Sequence, residues 1–353
     1  MAIVFAILIF SFLIFIHELG HFLAAKASGV QVNEFAMFMG PALIKWRRGE
    51  TLYSIRCIPL GGYCAMEGEN EDTENPRSFQ KAAWWKRLCI LLAGAAMNFV
   101  AGFLIFALLF SPKDGFNQTV IAGADAGNTV ICEEGLHIGD RIVKINGSRV
   151  YVTSDANMLF SLSEGDTYNL IVERNGEKVK LDDFHMERHE FPNVDGTTSL
   201  RFGFRFGYEE KTFGKLMSYT WNNCLSVVQS VKLSLQMLLT GQAGLKDVGG
   251  PVLIIDMMSE TAKASEDTVD AIWNLLYLGA FIAVNLAVMN LLPIPALDGG
   301  RAVALLLTVA IESITRRKIN PKYEGYIHAA GMVVLLAFMA LITFKDIFVI
   351  FKG

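Results

Sequence analysis

The run Ala2-Ile3-Val4-Phe5-Ala6-Ile7-Leu8-Ile9-Phe10-Ser11-Phe12-Leu13-Ile14-Phe15-Ile16-His17-Glu18-Leu19-Gly20-His21-Phe22-Leu23-Ala24-Ala25 decides how the rest of the sequence is read. It is long enough to cross a bilayer, which takes about 20 mainly apolar residues. Two histidines and a glutamate nevertheless stand near its end. An unpaired charge at the centre of a span costs about 3 kcal/mol, so these side chains need partners. On a helix with about 3.6 residues per turn, His17 and His21 lie roughly 40° apart on one face. Both imidazoles can hold one metal ion, with Glu18 just around the helix, which is the logic of the HExxH pattern. The competing reading is an interhelical hydrogen-bond cluster; motif and placement together favour the metal. A secretory signal is the other alternative, because Ala25-Lys26-Ala27 resembles a small-residue cleavage site. Nothing basic precedes the run and it is too long for a signal core, which argues against it.

Three more stretches have the length and composition of spans: Leu88 to Phe110, Ala271 to Leu292, and about Ile327 to Phe344. The bulk composition agrees. Of 353 residues, 52 % are hydrophobic and 19 % charged, whereas a soluble domain carries about a quarter charged residues. A net charge of -4, with no basic tract, argues against a nucleic-acid partner. Five cysteines without CxxC spacing read as small apolar residues, not a disulfide framework. Lys26, Lys45, Arg47, Arg48, Arg56, Arg77, Lys81, Lys86 and Arg87 lie between the first two spans, and Arg301, Arg316, Arg317, Lys318 and Lys322 between the last two. The positive-inside rule makes both connections cytoplasmic and both termini and the middle region external.

Zinc suits nitrogen and carboxylate ligands and needs a third protein ligand plus an open position. A water bound there falls in pKa towards about 7. The third span ends in Asn290-Leu291-Leu292-Pro293-Ile294-Pro295-Ala296-Leu297-Asp298-Gly299-Gly300. Spans one and three run in the same direction, so Asp298 reaches the depth of the two histidines. Pro293 and Pro295 break the helix, which is tolerated only where irregular backbone is buried in protein or lines a cavity.

Between the first two spans, Val32 to Phe38 and Ala42 to Cys57 read as a β-hairpin close to the membrane, turning at Arg48-Gly49-Glu50. Pro59-Leu60-Gly61-Gly62-Tyr63 reads as a tight turn, and Glu67 to Glu74 as a solvated acidic loop. Phe116 to about Leu181 has the punctuation of a small β-domain. Gly135-Leu136-His137-Ile138-Gly139-Asp140-Arg141-Ile142, running into Val143-Lys144-Ile145-Asn146-Gly147, resembles the strand-turn-strand of a PDZ domain. Ser199 to Tyr208 alternates like a strand and Phe213 to Leu239 has the spacing of an amphipathic helix. Gly249-Gly250-Pro251 breaks the chain before the third span.

These motifs together resemble the site-2 proteases, intramembrane zinc metalloproteases of the bacterial sigma-factor-regulating type. The resemblance rests on His17-Glu18-Leu19-Gly20-His21, on Asn290-x-x-Pro293-x-Pro295-x-Leu297-Asp298-Gly299, on Phe38-Met39-Gly40-Pro41, on Pro59 to Tyr63 and on a single PDZ-like segment. It implies His17, His21 and Asp298 as zinc ligands, Glu18 as catalytic base, and Asn290, with Pro293 and Pro295, as support for substrate in the active site. Asn98 also matches, although Gly94-Ala95 stands where the family commonly has Gly-Pro. The expected fold is an α-helical membrane protein of about four transmembrane helices, with a membrane-associated β-hairpin and one inserted extracytoplasmic PDZ domain. The expected regions are 1–112, an N-terminal protease half; 113–190, the PDZ domain; 191–270, a strand and amphipathic helix; and 271–353, a C-terminal protease half. Implied substrates are transmembrane proteins, such as anti-sigma factor stubs or signal-peptide remnants, cut in a bacterial cell membrane towards its cytoplasmic side. Two other classes compete. A transporter would show inverted repeats, which are absent here. An inactive PDZ-bearing adaptor would lack the metal residues, and all are present.

Overall fold

The computed structural model describes residues 2–69, 71, 73–125, 130–132, 135–163, 165–192, 198–244, 248–265, 267–316 and 321–352. In chain order the elements are α1 (Ala2–Ser28), β1 (Val32–Arg48), β2 (Thr51–Met66), α2 (Trp84–Phe110), β3 (Gly115–Ala124), β4 (Arg141–Ile145), β5 (Ser148–Arg149), α3 (Thr153–Leu162), β6 (Thr167–Arg174), β7 (Glu177–His185), β8 (His189–Pro192), β9 (Thr198–Arg201), β10 (Phe204–Glu210), α4 (Phe213–Thr240), α5 (Pro251–Ala264), α6 (Thr268–Asn290), α7 (Asp298–Thr315) and α8 (Pro321–Lys352). The chain divides into two compact units, one of Met1–Ile105 with Val231–Gly353 and one of Phe106–Ser230.

Four helices are long and apolar enough to cross a membrane, over Val4–Ser28, Trp84–Phe110, Thr268–Asn290 and Gly325–Phe348. They coincide with the four stretches read from the sequence to within about one helical turn. This is a multi-pass membrane protein with β elements. α1 ends three residues later than the sequence suggests because of its backbone closure. Gly29, left-handed at φ 81°, donates to Lys26 O at 3.1 Å, and Val30 donates to Ala25 O at 2.9 Å. Those two bonds satisfy the final carbonyls of the helix. The α6 N-terminus is capped by Asp267, whose carboxylate accepts from the Val269 and Asp270 amides at 2.7 and 2.8 Å.

In the first unit, β1 and β2 pair antiparallel and both bend sharply. Phe35 lies opposite Tyr53 on one side and Cys64 on the other, and Met37 opposite both Ile55 and Gly62. The chain must therefore double back, and it does so where Phe38, Gly40 and Gly61 take left-handed φ of 72°, 84° and 77°. The expected turn at Pro59 to Tyr63 is one of these reversals: Ile55 and Gly62 lie opposite Met37 on its two sides, with left-handed Gly61 between them. The expected loop over Glu67 to Glu74 forms, with Glu71 and Glu74 exposed, but it is not solvated at Glu69. Glu69 is largely buried and pairs with Arg301, because an acid close to α7 finds a partner there. Asn70 and Asp72 lie outside the described residues, as do Arg317 and Lys318. Ala25, Val30, Val32, Phe35, Cys64, Met66, Ile90, Leu91, Ala302 and Leu305 form one apolar core joining α1, the sheet, α2 and α7. After the Gly249-Gly250 break the chain forms α5, a helix the sequence reading lacks, with Pro251 in its first turn.

In the second unit the main sheet runs β10-β3-β4-β6-β7, with β5 paired to β4. Asn146-Gly147 and Asn175-Gly176 connect successive strands with φ of 47°, 81°, 52° and 85°, the type I′ hairpin geometry that Asn-Gly favours. Ser199 to Tyr208 is two strands, not one. β9 pairs with β8 while β10 completes the main sheet beside β3. The sheet thus draws on residues beyond 190. Asp140 is fully buried and accepts two 2.8 Å bonds from the Arg174 guanidinium and one from the His137 amide. Burial alone would raise its carboxyl, but these donors outweigh it and hold it below the ordinary value. The N-terminal part of α4 packs here: Tyr219 stacks on Phe116 at 4.4 Å, and Ser226 donates to Asp155.

Candidate active site

The apolar sequence around His17 folds as helix whatever its neighbours, so α1 delivers His17, Glu18 and His21 on adjacent faces. α6 ends at Asn290, Pro293 and Pro295 interrupt the helical backbone, and α7 opens on Asp298. The result is a close convergence. His17 Nε2 lies 3.0 Å and His21 Nε2 3.3 Å from Asp298 Oδ2, and the two imidazole nitrogens are 3.2 Å apart. The rings meet edge to face, with centroids 4.8 Å apart.

Asp298 Oδ2 is buried without a hydrogen-bond donor that meets normal geometry. A buried carboxylate oxygen without a donor is costly, and two nitrogen lone pairs aimed at it add repulsion. A cation between them removes both penalties, so two imidazoles and one carboxylate fit a zinc ion. Among the described residues these three form the group able to hold a metal.

The surrounding groups orient the two histidines. His21 Nδ1 donates to Ile90 O at 2.8 Å, which leaves Nε2 as the lone-pair nitrogen facing Asp298. His17 Nδ1 has two amide neighbours, Asn98 Nδ2 and Asn290 Nδ2, each at 3.4 Å. With Nε2 as ligand, Nδ1 must carry the proton and needs an acceptor. Asn98 is fully buried and its Oδ1 has no partner. Turning that amide over presents the oxygen to His17 Nδ1–H and satisfies both groups. Asn98 and Asn290, both read from the sequence as site residues, thus meet at His17. Pro293 and Pro295 lie in the connection between α6 and α7.

Glu18 sits within electrostatic reach of His17, His21 and Asp298, on the side of the sheet at Gly62. Cys64 lies nearby but is no rival: burial, with Glu18 and Glu69 adding to it, pushes its thiol up, so it remains protonated.

Sequence reasoning missed the residues that make room. A Cβ on Gly94 would stand 2.4 Å from His21 Nε2 and 2.8 Å from His17 Cε1, and one on Gly20 only 2.4 Å from Ala93 O. α1 and α2 approach closely because both carry glycine at the crossing, a legible signal in membrane helices. α2 runs unbroken through Ala95, so the family proline is not needed to build the site.

A family model described as Peptidase family M50 matches residues 5–338. A Clostridium perfringens protein bearing a zinc-metalloprotease name is 37 % identical over 349 residues, 98 % of each chain. "Zinc metalloprotease RasP" of Bacillus licheniformis is 28 % identical and "Regulator of sigma-W protease RasP" of Bacillus subtilis 26 %, each match covering 97 % of both chains. With such a match along nearly its whole length, and a donor set of two imidazoles and a carboxylate beside a glutamate, the chain belongs to peptidase family M50 and is an intramembrane zinc metalloprotease of the site-2 type.

Proposed function

We propose that His17, His21 and Asp298 hold the zinc, that Glu18 is the catalytic base, and that the enzyme cuts within transmembrane segments. The observation that carries this is the meeting of three donor atoms from α1 and α7 around one point, 3.0–3.3 Å apart. Zinc held by His17, His21 and Asp298 would supply Lewis acidity near neutral pH. Glu18 takes a proton from the attacking water and passes it to the leaving nitrogen. Asn290, against His17, helps hold the substrate strand. Elemental analysis of His17→Ala and Asp298→Ala proteins tests the assignment. Both should lose most zinc; full zinc in both overturns it.

A substrate helix hides its amides and must become extended before attack. The segment Ala42–Arg48 pairs only with Thr51–Arg56 among the described residues, which leaves its other edge open to receive a strand. Lys and Arg placement supports cytoplasmic connections around the site and external termini. The β-unit, with its Gly135-Leu136-His137-Ile138-Gly139-Asp140 segment, acts as an external PDZ domain that inspects or excludes substrate ectodomains. The name of the B. subtilis relative, a regulator of sigma-W protease, supports a role in sigma-factor regulation, and the resemblance makes anti-sigma factor stubs the proposed substrate class.

A further inference from the structure

We propose that α8 positions the third ligand: His328 and Gly331 hold the segment Pro293–Leu297 in the conformation that presents Asp298 to the two histidines. This rests on reading Asp298 as a zinc ligand.

Two local bonds, Ile294 N–H to Leu292 O at 2.7 Å and Leu297 N–H to Ile294 O at 3.1 Å, shape the segment, and the Ala296 amide finds its acceptor outside it. Pro293 and Pro295 carry no amide hydrogen. Ala296 has φ 81°, a left-handed conformation that costs a residue with a Cβ on the order of 1–3 kcal/mol and persists only where its surroundings impose it. Those surroundings are on α8. The Ala296 N–H donates to His328 Nδ1 at 3.2 Å. Gly331, three residues on and on the same face, packs so tightly that a Cβ would stand 2.4 Å from Pro295 Cβ and 3.0 Å from Pro295 O. One contact holds the strained amide and the other seats the preceding carbonyl, so the chain between α6 and α7 is gripped on consecutive residues. Ala296 is two residues from Asp298, so slack there reaches the carboxylate directly. A metal site tolerates about 0.5 Å of such slack.

The placement supports function over simple packing. His328 lies within the apolar segment Gly325–Phe348, where an ionisable residue is expensive unless it serves a purpose. A leucine would fill the space equally well but could not accept from Ala296. From the other side, Arg301 donates to Glu69, which anchors the first turn of α7. Asp298 is therefore held between an ion pair behind it and the α8 grip ahead of it.

The test uses full-length protein in detergent, loaded with zinc or with cobalt(II). Zinc release to a chromophoric chelator and the visible absorption of the cobalt form are recorded for wild type, His328→Phe, His328→Gln, Gly331→Ala and Asp298→Ala. His328→Phe and Gly331→Ala should release zinc at least about tenfold faster and alter the cobalt band. His328→Gln should restore slow release and the wild-type spectrum, because its amide oxygen can accept from Ala296. Wild-type release and spectrum in His328→Phe overturn the proposal, as does a Gln variant no better than Phe. A wild-type zinc content and spectrum in Asp298→Ala would instead overturn the ligand reading itself. Melting of the metal-free variants controls for folding; if His328→Phe does not fold, Gly331→Ala against His328→Gln decides the matter.

Discussion

Gly94 backs directly onto the His21 imidazole: a methyl group at that Cα would stand 2.4 Å from Nε2. The absence of a side chain on α2 is thus as much part of the proposed metal site as the histidines on α1. Gly94→Ala should lower zinc affinity on the order of 10–100-fold, the range seen when ligand orientation is disturbed. Zinc titration of the purified variant checks this, and an unchanged affinity would mean α2 yields easily at this crossing.

Glu18 can be separated from the ligands. Glu18→Gln is expected to keep its zinc and its melting temperature while losing on the order of 10²–10⁴-fold in cleavage, because the amide cannot accept a proton. Turnover of a model single-span substrate, measured beside zinc content, decides it. Near-wild-type turnover removes Glu18 from the mechanism.

The β-unit should have a carboxylate-dependent stability. Asp140 is fully buried and held below its ordinary value by Arg174 and the His137 amide. A carboxyl depressed in the folded state stabilises at all pH above its unfolded value, about 3.9, and loses that contribution as pH falls through the lower folded value. Asp140→Asn should therefore cost about 2–3 kcal/mol near neutral pH, discounted from a fully buried pair because Arg174 is partly exposed. The gap should persist down to about pH 4 and close below it. Thermal melting of both proteins across that range is the measurement; a pH-independent gap would refute the ionic account.

The boundaries of that unit also permit a clean excision. The Lys211 amide donates to Asp114 O at 2.8 Å, so the chain enters and leaves the sheet at neighbouring points. Replacing Gly115–Glu210 with a short Gly/Ser link should leave the zinc content intact and reduce discrimination between a trimmed substrate and one keeping its ectodomain. Cleavage of both substrates by both enzymes gives the answer. An undiminished preference for the trimmed substrate would sink the gatekeeping role.

Orientation is testable on the same unit. A single cysteine at Asn146, in a protein whose five free cysteines have been replaced, should react with an impermeant reagent from outside the cell. Labelling only after lysis would reverse the topology assigned from Lys and Arg placement.

The sequence by itself determined the elements whose signal is local. Length and apolarity specified the four spans, helical spacing put His17 and His21 on one face, and Asn-Gly pairs marked two hairpins in the β-unit. Asp298 was legible because prolines and a shared depth pointed to it. What depends on contacts between distant segments was decided only in the tertiary structure. Pro59 to Tyr63 reads locally as a turn, but only the pairing shows that the strand after it returns to Met37. Glu69 reads as a solvated acid until Arg301, more than two hundred residues away, meets it. His328 carries no motif, and the stretch that makes Gly94 resemble the family does not say what its missing side chain is for. Their roles exist only because α2 and α8 bring an empty Cβ position and a ring nitrogen to points fixed by other helices. Periodicity and hydropathy record what each segment prefers alone, whereas the site is built from distances between segments, and packing sets those.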